Sequence, residues 1–181
     1  YDISGPVPRG YFEADITQPA VVKEGSDITV VATSYMTLEA IRAAEALMPT
    51  GCSVEVIDLR VLRPLVMGPI YESLEKTGHL VTVDTGGVTL GMGAEIISKV
   101  STERFDCLKA APARLGLPDH PTPSSRGFYS GYYPSSVQII ERIGETLKLE
   151  ARQIEQAVAQ ISEERGEVPV DVPDPSFKGP F

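Results

Sequence analysis

Between residues 28 and 117, short β-branched runs alternate with helix-patterned stretches, and this alternation most limits the folds open to the chain. The run ITVVAT at 28–33 is too short and too uniformly apolar for anything but a buried strand. Residues 37–48 then carry Leu38, Ile41, Ala44, Ala46 and Leu47 among charges, a helical spacing stopped by Pro49 and Gly51. Strands are expected again at 54–58, 80–84 and, more weakly, 113–117. Helices are expected at 68–76, with Pro69 near the start and Gly78 past the end, and at 93–102, with Ile96, Ile97 and Val100 on one side. Strands joined through helices are crossover units, so the sheet is mostly parallel and covered on both faces.

The flanks read differently. Residues 1–19 form an irregular, turn-rich lead, and Ala20, Val21, Val22 and Lys23 make a candidate edge strand. Residues 118–134 are a loop rich in Pro, Gly, Ser and Tyr, the kind that serves contacts or wraps an edge. A helix begins near Ser135, whose spacing to Gln138 fits a capping box. Beyond it Val137, Ile140, Gly144, Leu147, Ala151, Ile154, Val158 and Ile161 step by three and four, a heptad seam. The seam either lies on the chain's own sheet or packs against a second chain. Gly144 and Ala151 weaken a coiled coil. The expected organisation is a lead at 1–19, one domain at 20–147, a helical extension at 148–165 and a Pro-rich tail at 166–181.

With 181 residues the chain can bury a core without disulfides or metals. A net charge of −9 gives no basic footprint for nucleic acid. No apolar run reaches the ~20 residues a membrane helix needs. The opening residues lack a signal peptide's basic and apolar regions, so a reducing, cytoplasmic setting is expected. Tyr1 in place of Met points to processing or to a piece of something longer. Cys52, Cys107, His79 and His120 show no ligand spacing, so no metal site is expected and both cysteines read as free thiols.

Three stretches are candidates for chemistry or contact. The first is the glycine-rich segment with Gly86, Gly87, Thr89, Gly91 and Gly93. It follows a strand and opens a helix, where free N–H groups favour an anion. It meets neither nucleotide-binding motif, and the alternative is close packing at Gly91 and Gly93. The second is Arg60 and Arg63, just past a strand's C-terminal end. Open α/β sheets bind ligands there. The two arginines either clamp an anion or make salt bridges, to Asp84 or to another chain. The third is Phe128, Tyr129, Tyr132 and Tyr133, which with Val137 and Ile140 are interface candidates because aromatic clusters favour interfaces. Ser34, Ser124 and Ser125 sit in no G-x-S-x-G elbow, so a hydrolase triad is unsupported.

The order of the blocks carries a further reading. EGSDITVV at 24–31, EVIDLR at 55–60 with Arg63, Pro64 and Leu65, KTGHLVTVD at 76–84 and GMGAEI at 91–96 resemble successive blocks of the transketolase C-terminal domain. The resemblance is strongest to the beta subunit of pyruvate-type 2-oxoacid dehydrogenases. FDCLKAAP at 105–112, PDHPTP at 118–123 and YPSSVQII at 133–140 extend it, so that it covers about residues 10–147.

The resemblance implies a three-layer α/β/α domain on a five-stranded mixed, mostly parallel sheet, with residues 20–23 as its antiparallel edge. It also implies a division of labour. In such enzymes thiamine diphosphate and Mg bind between two other domains, neither of which this sequence contains, so no cofactor-binding or catalytic residue is expected here. The C-terminal domain is expected to support a homodimer, to meet the remaining domains or the alpha subunit, and to offer a surface to the acyltransferase core. Two rivals stay open. One is the same domain in a ketol-transferring enzyme, such as transketolase or deoxyxylulose-phosphate synthase. The other is a free-standing anion-binding or interaction module. Relatives outside the dehydrogenases often add a second short helix after the first, which would break the seam near residues 148–150.

Overall fold

The computed structural model describes residues 7–125, 128 and 131–165. Five strands form one sheet: β1 (Ala20–Lys23), β2 (Ile28–Ala32), β3 (Val54–Asp58), β4 (Leu80–Gly87) and β5 (Ala113–Leu117). Their spatial order is β1-β3-β2-β4-β5. β2 pairs in parallel with β3 and β4, and β4 with β5, whereas β1 runs antiparallel to β3. Every residue of β2 is buried, which is why the central strand is an unbroken apolar and threonine run. At the edge, β1 leaves Val21 and Val22 more than a third exposed, and its register slips between Val21 and Lys23. A bulge and a lysine at an edge discourage further strand pairing.

Helices cover both faces. Alternation along the strands sends Val30, Ala32, Val54, Val56, Val81 and Val83 to one face. There they meet α1 (Tyr35–Leu47), α4 (Ser136–Leu147) and α5 (Ala151–Arg165). Val31, Ile57 and Leu80 point to the other face, against α2 (Gly68–Thr77) and α3 (Met92–Glu103). Ala40, Ala43, Ala44 and Ala46 of α1 are buried, and small residues let α4 and α5 approach it closely. On the opposite face a polar group is enclosed. The Thr29 hydroxyl bonds Ser73 Oγ at 2.6 Å and Thr77 Oγ1 at 2.7 Å. Glu55 accepts from Lys76 and from the Gly25 N–H at 3.2 Å. Burial pushes the Glu55 carboxyl up, but the bonds from Lys76, Ser73 and Gly25 outweigh it and hold the group below its usual range.

Two expectations are corrected. The seam from Val137 to Ile161 is not one helix but breaks at residues 148–150, where the resemblance places the break. Lys148 adopts a left-handed conformation (φ 56°) and closes α4, with Leu149 N–H donating to Gly144 O at 2.9 Å. α5 then packs back on α4, and a Cβ at Gly144 would stand 2.4 Å from Ile154 Cδ1. Gly144 is therefore the crossing point of two helices. The second correction concerns the start of α4. Ser135 is its N-cap but makes no side-chain cap bond. Buried Glu39 of α1 instead accepts from the Ser136 N–H at 2.8 Å, beside a 2.6 Å ion pair with Arg42. A capping bond of the box type does occur at α5, where the Gln153 side chain accepts from the Glu150 N–H at 3.1 Å.

Candidate functional site

The chain leaves β2 toward β3 on one side and leaves β4 toward β5 on the other, so the topological switch lies between β2 and β4. Ligands of open α/β sheets bind outside the strand ends at such a point. A cleft of about 320 Å³ opens there, lined by Thr33, Ser34, Arg60, Leu62, Asp84, Thr85 and Met92.

Its charges are already engaged. Thr33 Oγ1 donates to Asp84 Oδ1 at 3.1 Å. Thr37 Oγ1 donates to Asp58 Oδ1 at 3.2 Å, and Arg60 Nε to Asp58 Oδ2 at 3.3 Å. Arg60 Nη1 reaches across to Asp15 O at 2.8 Å and ties the N-terminal lead to the rim. Arg60 thus pairs with the aspartate two residues before it, and Asp84 with a threonine. Arg63 lies exposed on the same loop. Asp84 and a guanidinium already compensated by Asp58 leave the cleft without surplus positive charge, and most of its exposed lining is apolar.

The glycine-rich segment shows why it needs glycine. A Cβ at Gly91 would stand 2.1 Å from Gly87 O, and one at Gly93 would stand 2.4 Å from Thr82 Oγ1. Both positions are therefore close-packing points. Gly86 and Gly87 belong to β4, which runs further than its apolar core because Gly87 pairs with Leu117 of β5. Thr89 donates to Asp119, and Val88 N–H donates to Leu117 O at 2.8 Å. Among the described residues no group of three or more His, Cys, Asp or Glu is placed to hold a metal. Burial, with the Asp27 charge behind it, pushes the Cys52 thiol up to about 11.

The interface candidates separate. Ile140 is in the core and Val137 packs against it, so the α4 stripe faces inward. Tyr132 is buried, donating to His120 O at 3.2 Å and bonded to Thr122 Oγ1 at 3.1 Å, so it is not a surface anchor. Phe128 and Tyr133 are exposed, and Tyr129 lies outside the described residues. Sequence reasoning passed over Thr33, Asp58, Leu62 and Leu90. Their common signal is position, at or just past the C-terminal ends of β2, β3 and β4.

A three-layer arrangement with an antiparallel edge strand and a cleft at its switch point defines a class: an open, mostly parallel α/β sheet domain. The chain belongs to the family described as Transketolase, C-terminal domain, which it matches over residues 18–139. It is 33% identical over 148 residues to the beta subunit of acetoin:2,6-dichlorophenolindophenol oxidoreductase from Cupriavidus necator, covering 82% of this chain and 44% of that protein. It is 35% identical over 142 residues to the pyruvate dehydrogenase E1 component subunit beta of Staphylococcus aureus, covering 78% and 43%. The chain thus spans under half the length of these relatives. Among solved structures it is similar to a chain titled split gene transketolase, inactive beta4 tetramer, with TM-score 0.65 and 27% identity over 79% of this chain and 45% of the other. Among the described residues no helix is long and apolar enough to cross a membrane.

Proposed function

We propose that this chain is the assembly domain of a thiamine-diphosphate-dependent 2-oxoacid dehydrogenase, belonging to its beta subunit and residing in the cytoplasm. The parent reaction is oxidative decarboxylation of a 2-oxoacid, with the acyl group passed to a lipoyl arm. Thiamine diphosphate, with Mg, supplies the carbanion chemistry of that reaction when bound. The observation that carries this reading is the likeness to two oxidoreductase beta subunits across about four-fifths of the chain. The residues of the cleft do not fit a metal diphosphate. Arg60 is taken up by Asp58, and Asp84 adds negative charge where a diphosphate would need donors. No catalytic step is therefore assigned to this chain.

Its work in this reading is structural. It joins two copies into a homodimer, meets the remaining domains or the alpha subunit, and presents a face to the acyltransferase core. A ketol-transferring parent is the second reading, supported by the likeness to the split gene transketolase chain. In either parent the glycine segment is left to packing, and soaking in sulfate is expected to place no anion at Gly91 or Gly93. Titration calorimetry with thiamine diphosphate and Mg²⁺ tests the division of labour. No binding heat is expected, and a micromolar dissociation constant would overturn the assignment.

A further inference from the structure

The cleft at the switch point carries one charge that nothing answers. Asp84 is half-buried where the apolar part of β4 ends. Its Oδ1 accepts from Thr33 Oγ1 at 3.1 Å, and among the described residues it enters no ion pair. The cations nearby are committed elsewhere. Arg60, the basic residue of the lining, gives Nε to Asp58 Oδ2 and Nη1 to Asp15 O. Arg114 gives Nη1 to Val88 O at 2.8 Å, and neither it nor exposed Arg63 lines the cleft. The other carboxylates close by are engaged as well, Asp58 by Arg60 and Thr37 and Asp119 by Thr89. Beside Asp84 the walls are apolar, Leu62 and Met92, with hydroxyls from Thr33, Ser34 and Thr85. The backbone here is set. Ser34 (φ 50°) follows β2 and Arg60 (φ 54°) follows β3, both in the lining, and Leu90 (φ 58°), 96% exposed, stands on the loop after β4. Positive φ in such residues persists where the surroundings over-determine it.

We propose that this cleft binds a small organic monocation: a primary amine on an apolar stem, its ammonium on Asp84 and its stem along Leu62 and Met92. The inference goes beyond the assembly role and does not depend on which parent the chain belongs to. A cleft of about 320 Å³ lies at the small end of ligand sites, which suits a stem of about four to six carbons. The sign of the charge follows from Asp84. A carboxylate drawn partly out of water loses solvation that an ammonium restores by a charge-assisted hydrogen bond. An anion would meet that carboxylate with no free cation to offset it. A metal ion would find one carboxylate and a few hydroxyls, and among the described residues no group of three ligands is at hand. The ammonium has three donors, and the hydroxyls of Ser34 and Thr85 offer acceptors beyond Asp84. A preset backbone leaves little to be ordered when the ligand arrives.

Titration of the 181-residue chain with pentylamine, pentanoate and pentanol, followed by backbone amide shifts, tests this. Pentylamine should move the amides of Thr33, Ser34, Asp84 and Thr85 with a millimolar dissociation constant, as befits so small a ligand. Pentanoate should move none of them, and pentanol should bind about 10-fold or more weakly for want of the charge. Asp84→Asn keeps an acceptor for Thr33 and should melt as wild type does, yet lose about 10-fold or more in affinity for the amine. Leu62→Ser, at a 60% exposed position, should weaken the amine several-fold through its stem. Amides that stay still in pentylamine up to its solubility limit, or that move alike with pentanoate, would overturn the site. So would an unchanged affinity in Asp84→Asn. Should Asp84→Asn melt lower than wild type, Leu62→Ser and the comparison with pentanol decide in its place.

Discussion

The two ends of the sheet are built on opposite terms. At the N-terminal end the chain is stitched. Ser26 and Asp27 both donate to Ser53 O, Asp27 Oδ2 accepts from Ser53 N–H at 2.8 Å, and His79 Nδ1 meets Asp27 O at 2.9 Å. Lys109 donates through its backbone to Gly78 O and through Nζ to Thr77 O. At the C-terminal end stand the three strained residues, the cleft and the exposed leucines. The difference assigns stability to one end and leaves the other free for contacts, as open α/β sheets generally do.

Substitutions at the two ends can break that division. The largest effect is expected from Gly25→Ala. A Cβ there would stand 2.2 Å from both Val54 C and Glu55 N, backbone atoms that cannot swing aside. A loss of roughly 3 kcal/mol or more is expected in denaturant unfolding, in line with other overpacked sites. A well-folded Gly25→Ala protein of wild-type stability would remove the N-terminal end from its place in the comparison.

Glu55→Gln should come next, at about 1–3 kcal/mol near neutral pH, because it weakens a buried charge-assisted group. Its pH dependence sharpens the point. The folded carboxyl sits below its ordinary value of 4.5, so its contribution is complete above that value and is lost as pH falls through the folded one. Unfolding midpoints between pH 6 and 3 should therefore fall more steeply for wild type than for the variant. Parallel curves would show that Glu55 contributes nothing.

Arg60→Ala, at the other end, should cost less than about 1 kcal/mol, since its pair with Asp58 is partly exposed and screened. It should release the lead instead, seen as faster proteolysis before residue 20 in a protein whose melting point barely moves. A loss as large as that of Gly25→Ala would erase the contrast between the ends.

Legibility in the sequence followed the range of the interactions. β1 and β3 have the bounds their residues announce, because β-branched runs between turn residues are local signals, and β5 has its bounds from a plainer apolar alternation. The Pro69 start and Gly78 stop of α2 are equally local. The spacing across residues 137–161 hides the break because both helices keep the same three-and-four steps, and only the family resemblance marks it at 148–150. Lys148 takes a left-handed turn, and Ile154 then packs on Gly144, a contact that no local pattern displays. The capping group of α4 came from Glu39, 97 residues away. The arginines were read correctly as lying past a strand's C-terminal end. The partner of Arg60 depended on a positive φ that its residue type does not advertise.

The alanines of α1 have a practical consequence for anyone trimming the chain. They form a low floor, covered only when α4 and α5 both lie on it, with Ala157 and Ile161 sealing the far side. The family match ends at residue 139, inside α4. A fragment cut there would lose most of its roof and hydrate a sheet of methyl groups. Such a piece would be expected to precipitate, although it spanned the whole family match.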